Sequence, residues 1–245
     1  YKLKKMGIDF HVIIGNHDVP YRNTNKINAM QELFGTDSGT WYPKFYSEAT
    51  DINLGGTDLC LIPWINNSNY TASLQHIKST RAQIALGHLE VQGFHMNKEM
   101  ISDHGLQKKV FEGFDMVLSG HYHTKSSQEN ITYLGTQYEI TWSDYNDPKG
   151  FHVLDLKTRE LERIVNPYKM FHKIFYNDKN KTLEQLTDHD FDSFKGTYVK
   201  VVTIHKENPY WFDVFLDKLY KSNPENLSIV DDHKHMDQTS EAELI

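Results

Sequence analysis

A single cysteine, Cys60, occurs in the 245-residue chain. One thiol cannot build a disulfide framework, and a reducing cytoplasm is the compartment it leads us to expect. Cys60 sits inside the apolar run Leu59-Cys60-Leu61-Ile62, where a cysteine packs as a small hydrophobe rather than serving as a nucleophile. The chain also lacks any stretch of the ~20 consecutive apolar residues that a membrane-spanning helix requires, and no secretory signal pattern opens it. Positive charge is not in excess either: 26 Lys and Arg stand against 33 Asp and Glu, a net charge of -7. That balance excludes a grip on nucleic acid by bulk electrostatics. A nucleic-acid substrate would need a local patch, bound cations or a partner subunit. Small basic clusters do occur, at Lys2-Lys4-Lys5 and Lys108-Lys109. Because the first residue is Tyr1 rather than Met, further sequence is expected upstream.

What is present has the rhythm of an α/β protein. Over residues 1–165 short apolar strands alternate with helical patterns. His11–Ile14, Asp58–Ile62, Ile84–Leu86 and Asp115–Ser119 read as buried strands. Lys26–Phe34, with Asn25 as its N-cap, and Ala72–Lys78 carry helical spacing, as their apolar residues recur every third or fourth position. Ile131–Leu134, Gly150–Leu156 and Leu161–Val165 alternate as strands of a second sheet would. Asn166-Pro167 marks a boundary, since proline removes a donor and ends pairing. Beyond it a strand (Tyr198–His205), an amphipathic helix (Tyr210–Lys221) and a strand (Leu227–Val230) suggest a small α+β domain over 166–231. The polar, His-containing tail 232–245 reads as a linker or disordered segment.

Three of the buried strands end alike. His11–Ile14 runs into Gly15-Asn16-His17-Asp18, Ile84–Leu86 into Gly87-His88, and Met116–Ser119 into Gly120-His121-Tyr122-His123. Ligands gather outside the carboxyl ends of strands in α/β sheets, so these turns could converge. Glycine would let the chain turn sharply there and project the next side chain into the crevice. His121 and His123, two apart, would face the same way in an extended segment and could straddle a pair of ions. Imidazole and an amide oxygen suit borderline divalent metals, and the lack of thiolates argues against a structural zinc cage. Two Gly-His pairs decide nothing with 14 Gly and 14 His in the chain. The weight lies in all three turns following apolar strands.

These turns resemble the last three signature motifs of the calcineurin-like metallophosphoesterases. Their order and spacing are similar to the SbcD nuclease subunits, in particular the phage recombination endonucleases partnered with an SbcC-like ATPase. Leu61-Ile62-Pro63-Trp64, Gly87-His88-Leu89-Glu90, Gly135-Thr136 and Trp142-Ser143-Asp144-Tyr145-Asn146-Asp147-Pro148 extend the resemblance over roughly residues 7–165. It implies a two-sheet sandwich flanked by helices over 1–165 and a cap domain that follows it. It implies that Asn16, His88 and His121 bind one metal and His123 the other. His17 would face the scissile phosphate. Asp18 would orient His17, or else simply form the turn. A water bridging two Mn²⁺ ions, with Mg²⁺ as a substitute, would attack in line.

The same resemblance implies DNA as substrate, an SbcC-like ATPase partner, a homodimer, and residence in the cytoplasm of a bacterial host. Tyr122, Tyr138, Trp142 and Tyr145 could stack on unpaired bases or pack between sheet and cap. His95 and His104, flanking a helical segment, read as surface residues. The chain departs from the family in one respect. The family's first two motifs, Asp-x-His and Gly-Asp, do not occur before Gly15, so the chain alone is expected to be inactive. A phosphoesterase for another substrate and a scaffold without metals are the competing readings.

Overall fold

A computed structural model describes residues 2–34, 43–98 and 100–231. The described residues divide into two compact units, 2–137 with 149–165, and 138–148 with 166–231.

The first unit opens with α1 (Lys2–Lys5), β1 (His11–Ile13), α2 (Ala29–Phe34), β2 (Lys44–Tyr46), β3 (Thr50–Leu54) and β4 (Thr57–Ile62). There follow α3 (Tyr70–Ser79), β5 (Ile84–Gly87), β6 (Met116–Ser119), β7 (Ser126–Gln128), β8 (Ile131–Tyr133), β9 (Gly150–Leu154) and β10 (Leu161–Val165). A six-stranded sheet in the order β3-β4-β5-β6-β8-β7 forms its centre. The four inner strands run parallel, and β3 and β7 close the edges antiparallel. The apolar run Leu59–Ile62 of β4 is buried throughout, as an inner parallel strand covered on both faces must be. β3, Thr-Asp-Ile-Asn-Leu, alternates in burial, as an edge strand does.

One face of the sheet packs Cys60, Ile62, Ala85, Val117, Ile131 and Tyr133 with Phe94, Phe111 and Ile77 of α3. The other packs Leu59, Leu61 and Ile84 against Ile13, Tyr46, Ile52 and Leu156. The strand pair β1-β2 is parallel and stands as its own sheet. Ile14 N extends this pairing by donating to Tyr46 O at 3.1 Å, and Trp64 N, just beyond β4, donates to Ile14 O at 2.8 Å, tying the pair to the central sheet.

Several expectations need correction. Ile131–Tyr133 belongs to the central sheet, pairing parallel with β6, while β9 and β10 form a separate antiparallel pair. Asn25 caps no helix. It is buried, and its amide donates to Ser47 O and Trp64 O, tying loops together. α2 starts later, at Ala29, where Asn28 Oδ1 accepts from Gln31 N at 2.9 Å. Around His95 and His104 the described residues make the bridges His95↔Ile101 and Val91↔Leu106, and no helix is assigned to them.

The second unit holds β11 (Phe171–Asn177), α4 (Leu183–Leu186), β12 (Tyr198–His205), α5 (Pro209–Lys221) and β13 (Asn226–Asp231). Its strands form an all-parallel sheet in the order β11-β12-β13. Phe212, Phe215 and Leu219 of α5 pack on Ile174, Tyr176, Val199 and Val201. Asn208 caps α5 by accepting from Trp211 N, and Pro209 occupies the first turn, where its missing N–H costs nothing. Strand β11 is not among the elements that the sequence pattern predicts. The segment 138–148 joins this unit through buried Glu139, whose Oε2 accepts from Met170 N at 2.8 Å and Phe171 N at 2.9 Å. The tail 232–245, with His233 and His235, lies outside the described residues.

Candidate metal centre

The turns after β1, β5 and β6 meet at one end of the first unit. β5 and β6 are parallel neighbours with Gly87 opposite Ser119, so both chains leave the sheet side by side. His88 N donates to Ile62 O at 3.0 Å and Gly120 N to Gly87 O at 2.9 Å, which fixes both turns to the sheet. Three donor atoms then converge. His88 Nε2 lies 2.8 Å from Asn16 Oδ1 and 3.1 Å from His121 Nδ1, and His121 Nδ1 lies 3.3 Å from Asn16 Oδ1.

Glycine serves here differently from what the sequence suggested. Neither Gly15, Gly87 nor Gly120 has a positive φ. Close approach is the reason at Gly15, where an added Cβ would sit 2.8 Å from His88 Cε1. The strained residue is His121 itself, at φ 80°, a conformation that costs a non-glycine residue about 1–3 kcal/mol and clusters at functional sites. The segment 121–124 bends and is not extended. The alternation that would make His121 and His123 face one way therefore does not apply. The His123 carbonyl accepts from Lys149 Nζ at 2.9 Å and Thr136 N at 3.1 Å, anchoring the turn.

The electrostatics favour neutral ligands. Burial, then the charges of His121 and His17, pushes the His88 imidazole down to about 4. At neutral pH it is therefore uncharged, the form in which imidazole can ligate. Glu90 is held below the ordinary carboxylate range, chiefly by its hydrogen bond to His121. His17 is exposed at the mouth of this cluster. Asp18 forms the turn: its Oδ2 accepts from Gly15 N at 2.7 Å, while its carbonyl accepts from Ala29 N at 2.7 Å.

Of the aromatic candidates, Tyr122 is core. It is 4% exposed, and its ring packs 4.5 Å from that of Tyr133, leaving no face for a base. Trp142 and Tyr145 belong to the second unit. Lys200 Nζ lies 4.3 Å from the Trp142 ring and Lys173 Nζ 4.8 Å from the Tyr145 ring. A second donor cluster, Asp51, Cys60 and His76, lies away from the three turns. Its carboxylate already accepts from Thr80 Oγ1 at 2.8 Å and pairs with His76 Nε2 at 2.9 Å.

The converging set fits a divalent cation. One amide oxygen and two imidazole nitrogens suit a borderline ion. Ligands at right angles on an ion with bonds of about 2.1 Å lie roughly 3 Å apart, and these donors are 2.8 to 3.3 Å apart.

No protein-family model matches the chain. It is 24% identical over 200 residues to the SbcD subunit of the SbcCD nuclease from Staphylococcus saprophyticus, covering 67% of this chain and 50% of that protein. It is 28% identical over 190 residues to the same subunit in Staphylococcus epidermidis, covering 66% and 48% respectively. Exonuclease subunit 1 of Enterobacteria phage T4 is 35% identical over 245 residues, 99% of this chain and 68% of that protein. The chain belongs to the SbcD-type nuclease subunits, in their phage branch.

This SbcD-type chain spans about half the length of its two staphylococcal relatives. Two neighbours of the site have no role assigned from the sequence. Glu90 Oε1 lies 3.2 Å from His121 Nε2, and Trp64 helps to hold the Glu90 carboxylate below the ordinary range. Both residues stand within the stretches that carry the SbcD resemblance. A carboxylate two positions past a strand-ending histidine carries no signal of its own until His121 is placed beside it.

Proposed function

We propose that this SbcD-type protein hydrolyses DNA phosphodiesters, exo- and endonucleolytically, using two divalent cations. The observation that carries the reading is the convergence of Asn16 Oδ1, His88 Nε2 and His121 Nδ1 within 3.3 Å of one another at the carboxyl ends of parallel strands. These three would hold one cation and His123 the other. Mn²⁺ is the favoured ion, with Mg²⁺ as a substitute. When bound, such a pair supplies Lewis-acid charge and lowers the pKa of water.

The chain's own residues supply the rest. Asn16 contributes a neutral oxygen and His88 an uncharged imidazole, so the site stays cationic when loaded and attracts phosphate. His17, exposed beside the cluster, stabilises charge on the phosphate or protonates the departing oxygen. Asp18 holds the turn that presents His17. The Asp-x-His and Gly-Asp motifs, which complete the ligand set in the family, do not occur before Gly15. Residues 1–165 then form the nuclease domain, a two-sheet sandwich, and 166–231 its cap. Trp142 and Tyr145, each beside a lysine, would stack on bases while the lysines meet phosphates.

The relatives' names call them subunits, which supports an SbcC-like ATPase partner that delivers DNA ends; a homodimer is the expected assembly. Among the described residues no helix is long and apolar enough to cross a membrane, and the cytoplasm of an infected bacterium is the proposed location.

The test incubates linear duplex and single-stranded DNA with the chain, alone and extended by its native upstream codons. Cleavage by the extended protein that requires Mn²⁺, stops with chelator and vanishes in His123→Ala supports the reading. Hydrolysis of a simple phosphodiester without DNA cleavage would move the substrate elsewhere. No hydrolysis and no Mn²⁺ uptake would make the chain a scaffold.

A further inference from the structure

We propose that Glu90 is a positioning residue that selects the tautomer of His121 and thereby keeps the metal-facing nitrogen free; this rests on the metal-centre reading above. The argument needs only the hydrogen-bonding inventory of the side chains. An ionised carboxylate accepts and never donates. Glu90 Oε1 lies 3.2 Å from His121 Nε2, so that nitrogen carries the proton. In a neutral ring the other nitrogen, Nδ1, then bears a lone pair. That lone pair points among the converging donors, 3.3 Å from Asn16 Oδ1 and 3.1 Å from His88 Nε2. The metal-free network closes consistently. His88 Nε2–H donates to Asn16 Oδ1 at 2.8 Å, with His121 Nδ1 as a second acceptor.

Among the described residues Glu90 is the partner of His121 Nε2, and without it none of them dictates the proton's place there. The Nδ1–H tautomer would then gain a good acceptor in Asn16 Oδ1, and a proton would occupy the position a cation needs. Carboxylates that hold the far nitrogen of a ligating histidine act in this way.

Glu90 is itself held in place from several directions. Trp64 beside it helps to hold its carboxylate below the ordinary range. Its carbonyl accepts from Leu106 N at 2.8 Å. Its neighbours are clamped by one buried hydroxyl, since Tyr133 donates to Leu89 O at 2.9 Å and accepts from Val91 N at 3.0 Å. These bonds fix the backbone from which the carboxylate reaches His121.

The test compares the 245-residue chain with Glu90→Ala and Glu90→Gln by two readouts. The first is the ¹⁵N shifts of the His121 ring in metal-free protein. The second is Mn²⁺ affinity, from the electron paramagnetic resonance signal of free ion. The native ring is expected to be protonated at Nε2 alone. Glu90→Ala should populate the Nδ1–H form and weaken Mn²⁺ binding roughly 10–100-fold. Glu90→Gln, close in shape and so expected to fold, keeps one acceptor oxygen for two donors and should fall between. A native ring protonated at Nδ1 or at both nitrogens would overturn the inference. So would variants whose tautomer and affinity match the native chain. A native chain with the expected tautomer that takes up no Mn²⁺ would sustain the role of Glu90 and overturn the metal reading.

Discussion

Gly15 and His88 cannot both carry side chains in this arrangement: a Cβ on Gly15 would stand 2.8 Å from His88 Cε1. Gly15→Ala is therefore expected to push the His88 ring away from Asn16 while leaving the sheet intact. The far-ultraviolet circular dichroism should stay native and Mn²⁺ affinity should drop about tenfold or more, the scale of a misplaced ligand. An alanine variant with native affinity would show that the ring has room to move.

Tyr133 links the sheet to the loop beyond His88. Its hydroxyl is buried and satisfies both Leu89 O and Val91 N. Tyr133→Phe leaves two backbone groups without that partner, at about 1–3 kcal/mol. Denaturant unfolding should report the loss. Mn²⁺ affinity should fall with it, because the same loop carries Glu90. Unchanged stability would mean that water replaces the hydroxyl.

The fold and the site were not equally legible in the sequence. Tyr198–His205 and the run Leu59–Ile62 announce themselves because strong apolar patterning and burial coincide there. Phe171–Asn177 is hard to read because its alternation is broken by His172 and Lys173, both half-buried. The edge strand Thr50–Leu54 is too polar to stand out. Asn25 and Asn28 are both chemically able to cap and both buried, and only packing decides that Asn25 ties loops together while Asn28 caps α2. At the site the three glycine turns were legible as a pattern. The positive φ of His121 and the Glu90 contact were not, since both arise from side chains meeting across strands.

Glu139 is a buried carboxylate that accepts from three backbone N–H groups, those of Asn146, Met170 and Phe171. It fastens the segment 138–148, with Trp142 and Tyr145, to β11. Glu139→Ala should destabilise the second unit by about 2–4 kcal/mol, through unpaired donors. Limited proteolysis should open the chain near Trp142 first. A variant as resistant as the native chain would contradict this role.

Cys60 offers a pH test. Burial, reinforced by the charge of Asp51, pushes its thiol up to about 12. The native thiol should resist iodoacetamide at pH 8 to 9 and react only after denaturation. The sign for stability follows. Above the thiol's ordinary value near ~8.5 the unfolded chain loses this proton while the folded chain keeps it, so Cys60 makes stability fall as pH rises toward 12. A Cys60→Ala variant should show a flatter alkaline limb in thermal melts; an unchanged limb would contradict the assignment.

The most direct measurement is an anomalous-difference map from crystals of the protein soaked in Mn²⁺. A peak within bonding reach of Asn16 Oδ1, His88 Nε2 and His121 Nδ1 is the predicted result. A map with Mn²⁺ at Asp51 and His76 instead, or with no peak among the three turns, would contradict the metal centre on which the proposed chemistry stands.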